Sequence, residues 1–163
     1  MTKDGKMELM APAGNFESLQ AALDNGADSV YFGVEQLNMR ARASINFTMD
    51  DLPEIVKRCE EKGVRSYLTL NTIIYDHDLS LIKNLLDRAK EAKITAVIAM
   101  DQSVIAYARQ IGIEIHISTQ INVTNIETVK FYAMFADTMV LSRELSLKQV
   151  NKICEQIIKD DVR

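Results

Sequence analysis

Short apolar stretches alternate with longer amphipathic stretches along the chain. The apolar stretches are rich in β-branched and aromatic residues, as in SVYFGV at 29–34, and this composition is typical of β-strands. The amphipathic stretches begin at good N-cap residues such as Asn15 and Thr48, and they end at glycines such as Gly26 and Gly63. The pattern therefore predicts strands and helices in strict alternation.

The predicted elements form about six βα units, each a strand followed by a helix. Strands are predicted at 7–12, 29–34, 64–71, 96–100, 113–120 and 138–143, and helices at 15–26, 48–63, 78–93, 102–112, 125–136 and 146–160. Short connections between alternating elements predict parallel strands joined by right-handed crossovers. Because the sequence contains no linker-like or low-complexity segment, residues 1–163 are expected to form one barrel region.

Two α/β architectures fit this alternation, a doubly wound open sheet and a (β/α) barrel. Helices cover both faces of a doubly wound sheet, so its central strands are apolar on both sides. Here the polar Thr69 and Asn71 alternate with Leu68 and Leu70, and the strand at 113–120 alternates in the same way. A polar inner face and an apolar outer face favour a parallel TIM-barrel-like fold with its strands in chain order. Since that barrel closes with about eight strands, about six of eight βα units are expected.

Barrel enzymes bind substrates at the C-terminal ends of the strands, and alternation predicts which polar side chains near those ends point inward. The candidate substrate-binding residues are Arg42, Asn71, Asp101, His116, Gln120 and Arg143. Their amide and guanidinium groups suit an anionic or carbonyl-rich ligand. Structural alternatives stay open: His116 as a hydrogen-bonded interior histidine, Arg42 as a solvated loop residue, and Arg143 as half of an ion pair with Glu144. Alternation also points Glu8, Tyr31 and Tyr67 inward.

Composition and charge describe an ordinary globular chain, with 47% hydrophobic and 26% charged residues. A net charge of −4 is not the general electrostatic footprint of a protein that binds nucleic acid or an anionic membrane. The longest apolar runs are far shorter than the ~20 residues that span a bilayer. The N-terminal segment lacks the apolar core of a signal peptide. We therefore expect a cytoplasmic protein without a membrane partner.

The sequence carries few groups for metal binding or nucleophilic catalysis. Its two cysteines, Cys59 and Cys154, fall in different predicted helices and are expected to be reduced thiols. No CxxC, HExxH or Cys/His cluster occurs, so no metal ligand and no cofactor is assigned to this chain. No catalytic residue is assigned either, because the sequence has no GxSxG elbow and no nucleophile with a nearby base.

Six stretches of the chain, in this order, resemble motifs of the U32 family of collagenase-like peptidases. They are ELMAPAGNFESLQAALDNGADSVYFG, NMRARASINFT, YLTLNTIIYD, AVIAMDQSVIAYAR, IHISTQINVTN and VLSRELSL. Together they extend from Met7 to Ser146 and beyond. The resemblance implies the barrel-like N-terminal part of a U32-family protein.

The resemblance implies more than one function. Relatives in the family hydroxylate RNA, at the tRNA wobble uridine or a ribosomal cytidine, and others take part in oxygen-independent ubiquinone hydroxylation. The family name instead implies a collagenase-like peptidase, and a non-catalytic fragment that binds a partner is a third hypothesis. Because the sequence shows no metal-ligand pair and no activated nucleophile, RNA hydroxylation is the first hypothesis, with RNA or peptide as the substrate.

The resemblance also implies a cysteine-containing part that would follow Arg163. That part is associated with iron or an iron–sulfur cluster in some members, so iron is expected in the full-length protein and not in this chain. The chain is then a truncated barrel, expected to be inactive alone. Its open strand edges, with Met139 and Leu141 exposed to water, predict self-association.

Overall fold

A computed structural model describes residues 7–34 and 47–162, in which strands and helices alternate. The strands are β1 (Met10–Pro12), β2 (Ser29–Phe32), β3 (Arg65–Leu70), β4 (Ala96–Ala99), β5 (Glu114–Ile117) and β6 (Thr138–Met139). The helices are α1 (Phe16–Asp24), α2 (Leu52–Glu61), α3 (Leu79–Glu91), α4 (Gln102–Ile111), α5 (Ile126–Ala133) and α6 (Leu147–Lys159). Within these two ranges, every helix is too short or too polar to cross a membrane.

The strands pair in chain order, β1 to β6, and every pair is parallel. This arrangement confirms the predicted α/β, TIM-barrel-like fold and the predicted strand order. Parallel neighbours require a crossover between them, and the connections that contain α1 to α5 supply the five crossovers. The sheet therefore forms part of a barrel wall rather than a doubly wound sheet.

The two faces of the sheet differ in polarity as the alternation predicts. The outer face is apolar and buried under the helices, and its residues include Val30, Phe32, Leu68, Leu70, Val97, Ala99, Ile115 and Ile117. On the inner face, the ring of Tyr67 on β3 contacts the ring of His116 on β5 at 4.7 Å between centroids. This contact reaches across β4, as expected for strands that curve around a barrel interior.

Side-chain hydrogen bonds join the adjacent helices α3 and α4. The amine of Lys90 on α3 donates to the carbonyl oxygen of Gly112 at 2.6 Å, which satisfies a carbonyl at the end of α4. Gly112 ends that helix in the left-handed region, with φ of 71°, where a side chain would be strained. On the same pair of helices, the Tyr107 hydroxyl donates to Asp87. These contacts fix the helix positions on the outer face.

All six strands are shorter than the alternation predicts, and β5 and β6 lose the most at their C-terminal ends. β5 ends at Ile117 because Ser118 begins a tight turn over Thr119–Ile121, and Asn122 then adopts a left-handed φ of 56°. β6 covers Thr138–Met139, and beyond it a single bridge joins Val123 to Leu141. The residues predicted at the ends of these strands therefore lie on turns, where their side chains no longer follow strand alternation.

The edges of β1 and β6 have no strand partner among residues 7–34 and 47–162. Apolar side chains are exposed beside β1: Met7 is 88% exposed, Leu9 57% and Met10 42%. At the other edge, Met139 and Leu141 are partly exposed and pack in part against the core, so the predicted exposure of this edge is partial. Beyond β6, the chain stays beside the segment that follows β5 through a parallel bridge between Leu141 and Val123.

We expect this chain to self-associate through these edges, because an unpaired apolar edge binds other strands. Light scattering at micromolar concentrations should show species larger than a monomer. Leu9→Lys should shift the chain towards monomer, since a charged edge opposes pairing, whereas Leu147→Lys on the exposed surface of α6 should not. A monomeric wild-type chain throughout this range would contradict the prediction.

Candidate functional site

The loops that follow the strands lie at the C-terminal rim of the barrel, where barrel enzymes place their active sites. One rim element is the turn after β5. The hydroxyl of the buried Ser118 donates to Oε1 of Gln120 at 2.5 Å, and the Ser118 amide donates to the Ala99 carbonyl at 2.8 Å. These bonds tie the turn to β4 and orient the Gln120 amide at the rim.

A second rim element follows β6. The buried Ser142 donates its amide to the Val123 carbonyl at 2.9 Å, which joins this loop to the turn after β5. Its hydroxyl donates to the Glu144 carboxylate. That bond, with the nearby charge of Arg143, holds the pKa of Glu144 below its ordinary value. Arg143 is exposed on this loop, and both its predicted contact with substrate and its alternative as half of an ion pair with Glu144 stay predictions.

Asp101 connects two rim loops. Its Oδ1 accepts from the amide of Ser103 at 2.9 Å and from the Ser103 hydroxyl at 2.6 Å, so it caps α4. Its Oδ2 accepts from the amide of Ile74 at 3.4 Å, in the loop between β3 and α3. Both carboxylate oxygens are thus engaged in positioning the backbone. Its predicted contact with substrate stays a prediction.

The remaining candidates are placed differently from one another. Asn71 follows β3 directly and is half-buried at the rim. Arg42 lies outside the described residues, so its predicted role stays a prediction. His116 is buried on β5, below the rim turn that Ser118 begins. Loops after β3, β4, β5 and β6 therefore place Asn71, Asp101, Gln120 and Arg143 at one end of the barrel, without His116.

His116 belongs to an interior polar cluster near the N-terminal ends of the strands, made of Glu8, Arg65, Tyr67, Glu114 and His116. The His116 Nε2 lies 2.8 Å from Oε1 of Glu114, and its ring packs on Tyr67. The Tyr67 hydroxyl donates to Oε1 of Glu8 at 2.9 Å, and Arg65 forms an ion pair with the same carboxylate. His116 is thus the hydrogen-bonded interior histidine of its alternative interpretation.

The contacts within this cluster shift the pKa values of Glu8 and Tyr67. Partial burial pushes the pKa of Glu8 upward, but the nearby Ser29 hydroxyl, the hydrogen bond from Tyr67 and the Arg65 charge outweigh it, so the pKa is lowered. Burial, together with the Glu8 carboxylate, raises the pKa of Tyr67. The cluster therefore holds an ionised carboxylate and a neutral phenol at neutral pH, which suits a structural role at the N-terminal end of the barrel.

A cavity of about 580 Å³ opens at this same N-terminal end, where α4 and α5 end beside β5 and β6. Arg109, Glu114, Phe135 and Asp137 are among its lining residues. The Asp137 carboxylate accepts from the amide of Ile115 at 2.9 Å, so it supports the sheet. The cavity lies at the opposite end of the strands from the rim residues and does not include them.

The cysteines do not form a shared metal site. Cys59 is buried on α2, and burial raises the pKa of its thiol to about 11, whereas Cys154 is exposed on α6. A metal-ligating thiol is deprotonated, and a raised pKa opposes this. Across residues 7–34 and 47–162, no group of three or more His, Cys, Asp or Glu residues is arranged to hold a metal ion.

Sequence reasoning missed the bond between Ser142 and Glu144 and the capping role of Asp101. Spacing offered a signal for both. A serine two residues before a glutamate at a strand end, and an aspartate directly before a helix, are typical of side chains that bond nearby backbone and hydroxyl groups. The alternation that points Glu8 and Tyr67 inward agrees with their mutual bond.

Glu8→Gln should reduce stability in a pH-dependent way. Because native contacts lower the pKa of Glu8, its ionised form stabilises the fold above about pH 4.5, and this stabilisation is lost as the pH falls through the native pKa. In urea denaturation, the variant should lose about 1 kcal/mol at neutral pH and progressively less in acid. Glu61→Gln, at an exposed position of α2, is the control. A loss that is the same at every pH would contradict the assignment.

Comparison with known proteins identifies relatives along almost the whole chain. The model of peptidase family U32 matches residues 14–162. Collagenase from Porphyromonas gingivalis is 53% identical over 155 residues, which cover 95% of this chain and 37% of that protein. The tRNA hydroxylation protein P1 from Bacillus subtilis is 31% identical over 155 residues, covering 93% of this chain and 36% of that protein. The chain thus spans little more than a third of these curated relatives.

The fold agrees with the sequence relatives. The solved structure of the U32 peptidase Mk0906 superposes with a TM-score of 0.74 at 16% identity, covering 95% of this chain and 67% of that chain. At this identity the likeness shows the fold alone. Because the family pattern extends from residue 14 to residue 162, this chain belongs to peptidase family U32.

Proposed function

We propose that this chain is the N-terminal barrel part of an RNA-hydroxylating enzyme, and that its rim binds a segment of tRNA or rRNA. The observation that carries the proposal is the oriented amide of Gln120, which Ser118 fixes at the rim. The likeness to a tRNA hydroxylation protein along 93% of the chain supports the RNA assignment.

The rim groups match the chemistry of an unpaired nucleotide. A nucleobase presents carbonyl oxygens and N–H groups at its edges, and a side-chain amide can both donate to and accept from such edges. Asn71 and Gln120 supply amides on the loops after β3 and β5, while Asp101, on the loop between them, holds the first of these loops in place. The guanidinium of Arg143 suits a phosphate. In this assignment the chain binds and orients the target nucleotide.

The groups that a hydrolytic site would use have other partners. The chain has two histidines. His116 bonds to Glu114 inside the barrel, and His77 lies on the loop after β3, whereas Ser118 and Ser142 follow β5 and β6. The hydroxyls of Ser118 and Ser142 donate to an amide and to a carboxylate. A serine nucleophile instead needs a base positioned to take its proton. These contacts favour binding at the rim over hydrolysis.

A collagenase-like peptidase is the second candidate, favoured by the 53% identity to a protein named Collagenase. Both candidates concern whole proteins, and this chain covers 37% of the length of that collagenase. We place any iron or iron–sulfur site of that protein outside residues 1–163, because Cys59 and Cys154 do not fit one. Iron analysis of the full-length protein distinguishes RNA hydroxylation, for which we expect iron, from a peptidase. The same analysis of this chain tests whether the iron site lies outside residues 1–163.

Deletion of the gene tests the proposed function. Mass spectrometry of digested tRNA and rRNA should show loss of one hydroxylated uridine or cytidine, restored by the full-length gene. A complete set of modified nucleosides in the deletion strain would refute RNA hydroxylation. Cleavage of collagen by the purified full-length protein would then support the peptidase. If the deletion strain has all its modified nucleosides and the protein does not cleave collagen, the partner-binding hypothesis remains.

Arg143→Ala in the full-length protein should abolish product formation, because the variant loses the guanidinium that we propose binds a phosphate at the rim. Thermal denaturation should change little, since substitutions at exposed rim positions cost under ~1 kcal/mol. Arg42→Ala is expected to behave in the same way. Lys152→Ala, which removes an exposed cation from α6, is the matched control and should retain product. Full product from Arg143→Ala would remove Arg143 from the site.

A further inference from the structure

The loop between β3 and α3 carries an exposed aromatic pair at the C-terminal rim. Tyr75 is 61% exposed, and its ring lies parallel to that of His77, with 3° between the planes and 5.7 Å between the centroids. We call this pair the aromatic shelf. Large exposed aromatic rings are costly to leave in water, and they mark binding surfaces when they lie beside a functional site.

The loop holds Tyr75 in a fixed position. The backbone amide of Ile74 donates a hydrogen bond to Asp101, and the Ile74 side chain packs against the core. The next side chain, Tyr75, therefore points outward. The Tyr75 amide donates to Oδ2 of Asp78 at 3.0 Å, which fixes the backbone on the other side. A ring presented by a preorganised loop binds a partner with little further loss of conformational entropy.

The charges around the shelf limit what can bind there. Asp76 and Asp78 flank the rings, and His77 lies 3.6 Å from the Asp78 carboxylate. Two carboxylates disfavour a phosphate at this position, whereas the open face of a tyrosine ring attracts a flat, uncharged ring. Stacking on aromatic side chains is how proteins hold unpaired bases of any sequence.

We propose that Tyr75 stacks an unpaired nucleobase of the RNA substrate at the barrel rim, an inference that rests on the proposed function. His77 supports the tyrosine ring by its parallel contact. Gln120 and Arg143 would then contact the same RNA segment from other loops of the rim. The contribution of the aromatic shelf to affinity comes from ring stacking. It should therefore depend little on salt concentration, whereas the contribution of phosphate contacts falls as salt rises.

Fluorescence anisotropy with a labelled single-stranded oligouridine, titrated with this chain, tests the shelf. Tyr75→Ala should weaken binding about fivefold to a hundredfold, as expected for one lost base stack, whereas Tyr75→Phe should bind like wild type. Phe131→Ala, which removes an exposed ring from α5, is the matched control and should have no effect. Circular dichroism of each variant confirms that it is folded.

Two further measurements sharpen the result. An abasic oligonucleotide of the same length should bind wild type at least as weakly as oligouridine binds Tyr75→Ala, because it lacks both the stacked base and the base edges. The affinity ratio between wild type and Tyr75→Ala should stay constant as salt rises, because stacking releases no counterions.

Each contrary result has its own meaning. RNA binding that Tyr75→Ala leaves unchanged would overturn the shelf and leave the proposed function standing. No binding of oligouridine by wild type would overturn the shelf, while the nucleoside analysis of the deletion strain decides the proposed function separately. Loss of binding to a lysine-rich peptide in Tyr75→Ala, with RNA binding unchanged, would assign the shelf to a cationic peptide instead.

Discussion

The burial of one apolar face of the sheet under the helices is the interaction on which the rest of this structure depends. Val30, Leu68, Val97 and Ile115 lie on that face of neighbouring strands and are almost completely buried. Burial of apolar surface contributes about 25 cal/mol per Å², so this face fixes the side on which the helices pack. With the helices on one side, the strands curve around the other, and their C-terminal ends come together at one rim.

The opposite face is free to carry polar groups, and the structure uses its two ends differently. Near the N-terminal ends, Glu8, Arg65, Tyr67, Glu114 and His116 bond to one another. Buried polar groups are tolerated when they have such partners, so this end supports the fold. At the rim, the polar groups lie on turns, and several of their bonds fix the loops rather than the strands.

Membership of family U32 is compatible with two functional interpretations, and our proposal of RNA hydroxylation is based on the chemistry of the rim. Hydroxyl groups that donate to Gln120 and Glu144 orient those side chains and are not activated by a histidine. The oriented amide of Gln120 and the exposed Arg143 are the rim groups on which we base the proposed recognition of a nucleotide. Asp101 illustrates how recognition depends on structure, since its carboxylate both caps α4 and anchors the loop that presents Tyr75.

The sequence by itself determined the parallel barrel-like fold, the chain order of the strands and the inward direction of Tyr67 and His116. These features follow from alternation along a strand and from helix caps, which are local patterns visible in any single stretch. The sequence also indicated which rim positions are polar, such as Asn71 and Gln120.

Tertiary structure alone decided which partner each polar group meets. The early end of β5 coincides with the bond between Ser118 and Gln120, and beyond β6 a bridge joins Leu141 to Val123. His116 lies below the rim because Glu114 holds it from its own strand and Tyr67 packs on it from across β4. Local patterns set the face on which a side chain lies, but contacts between distant segments depend on the curvature of the assembled sheet.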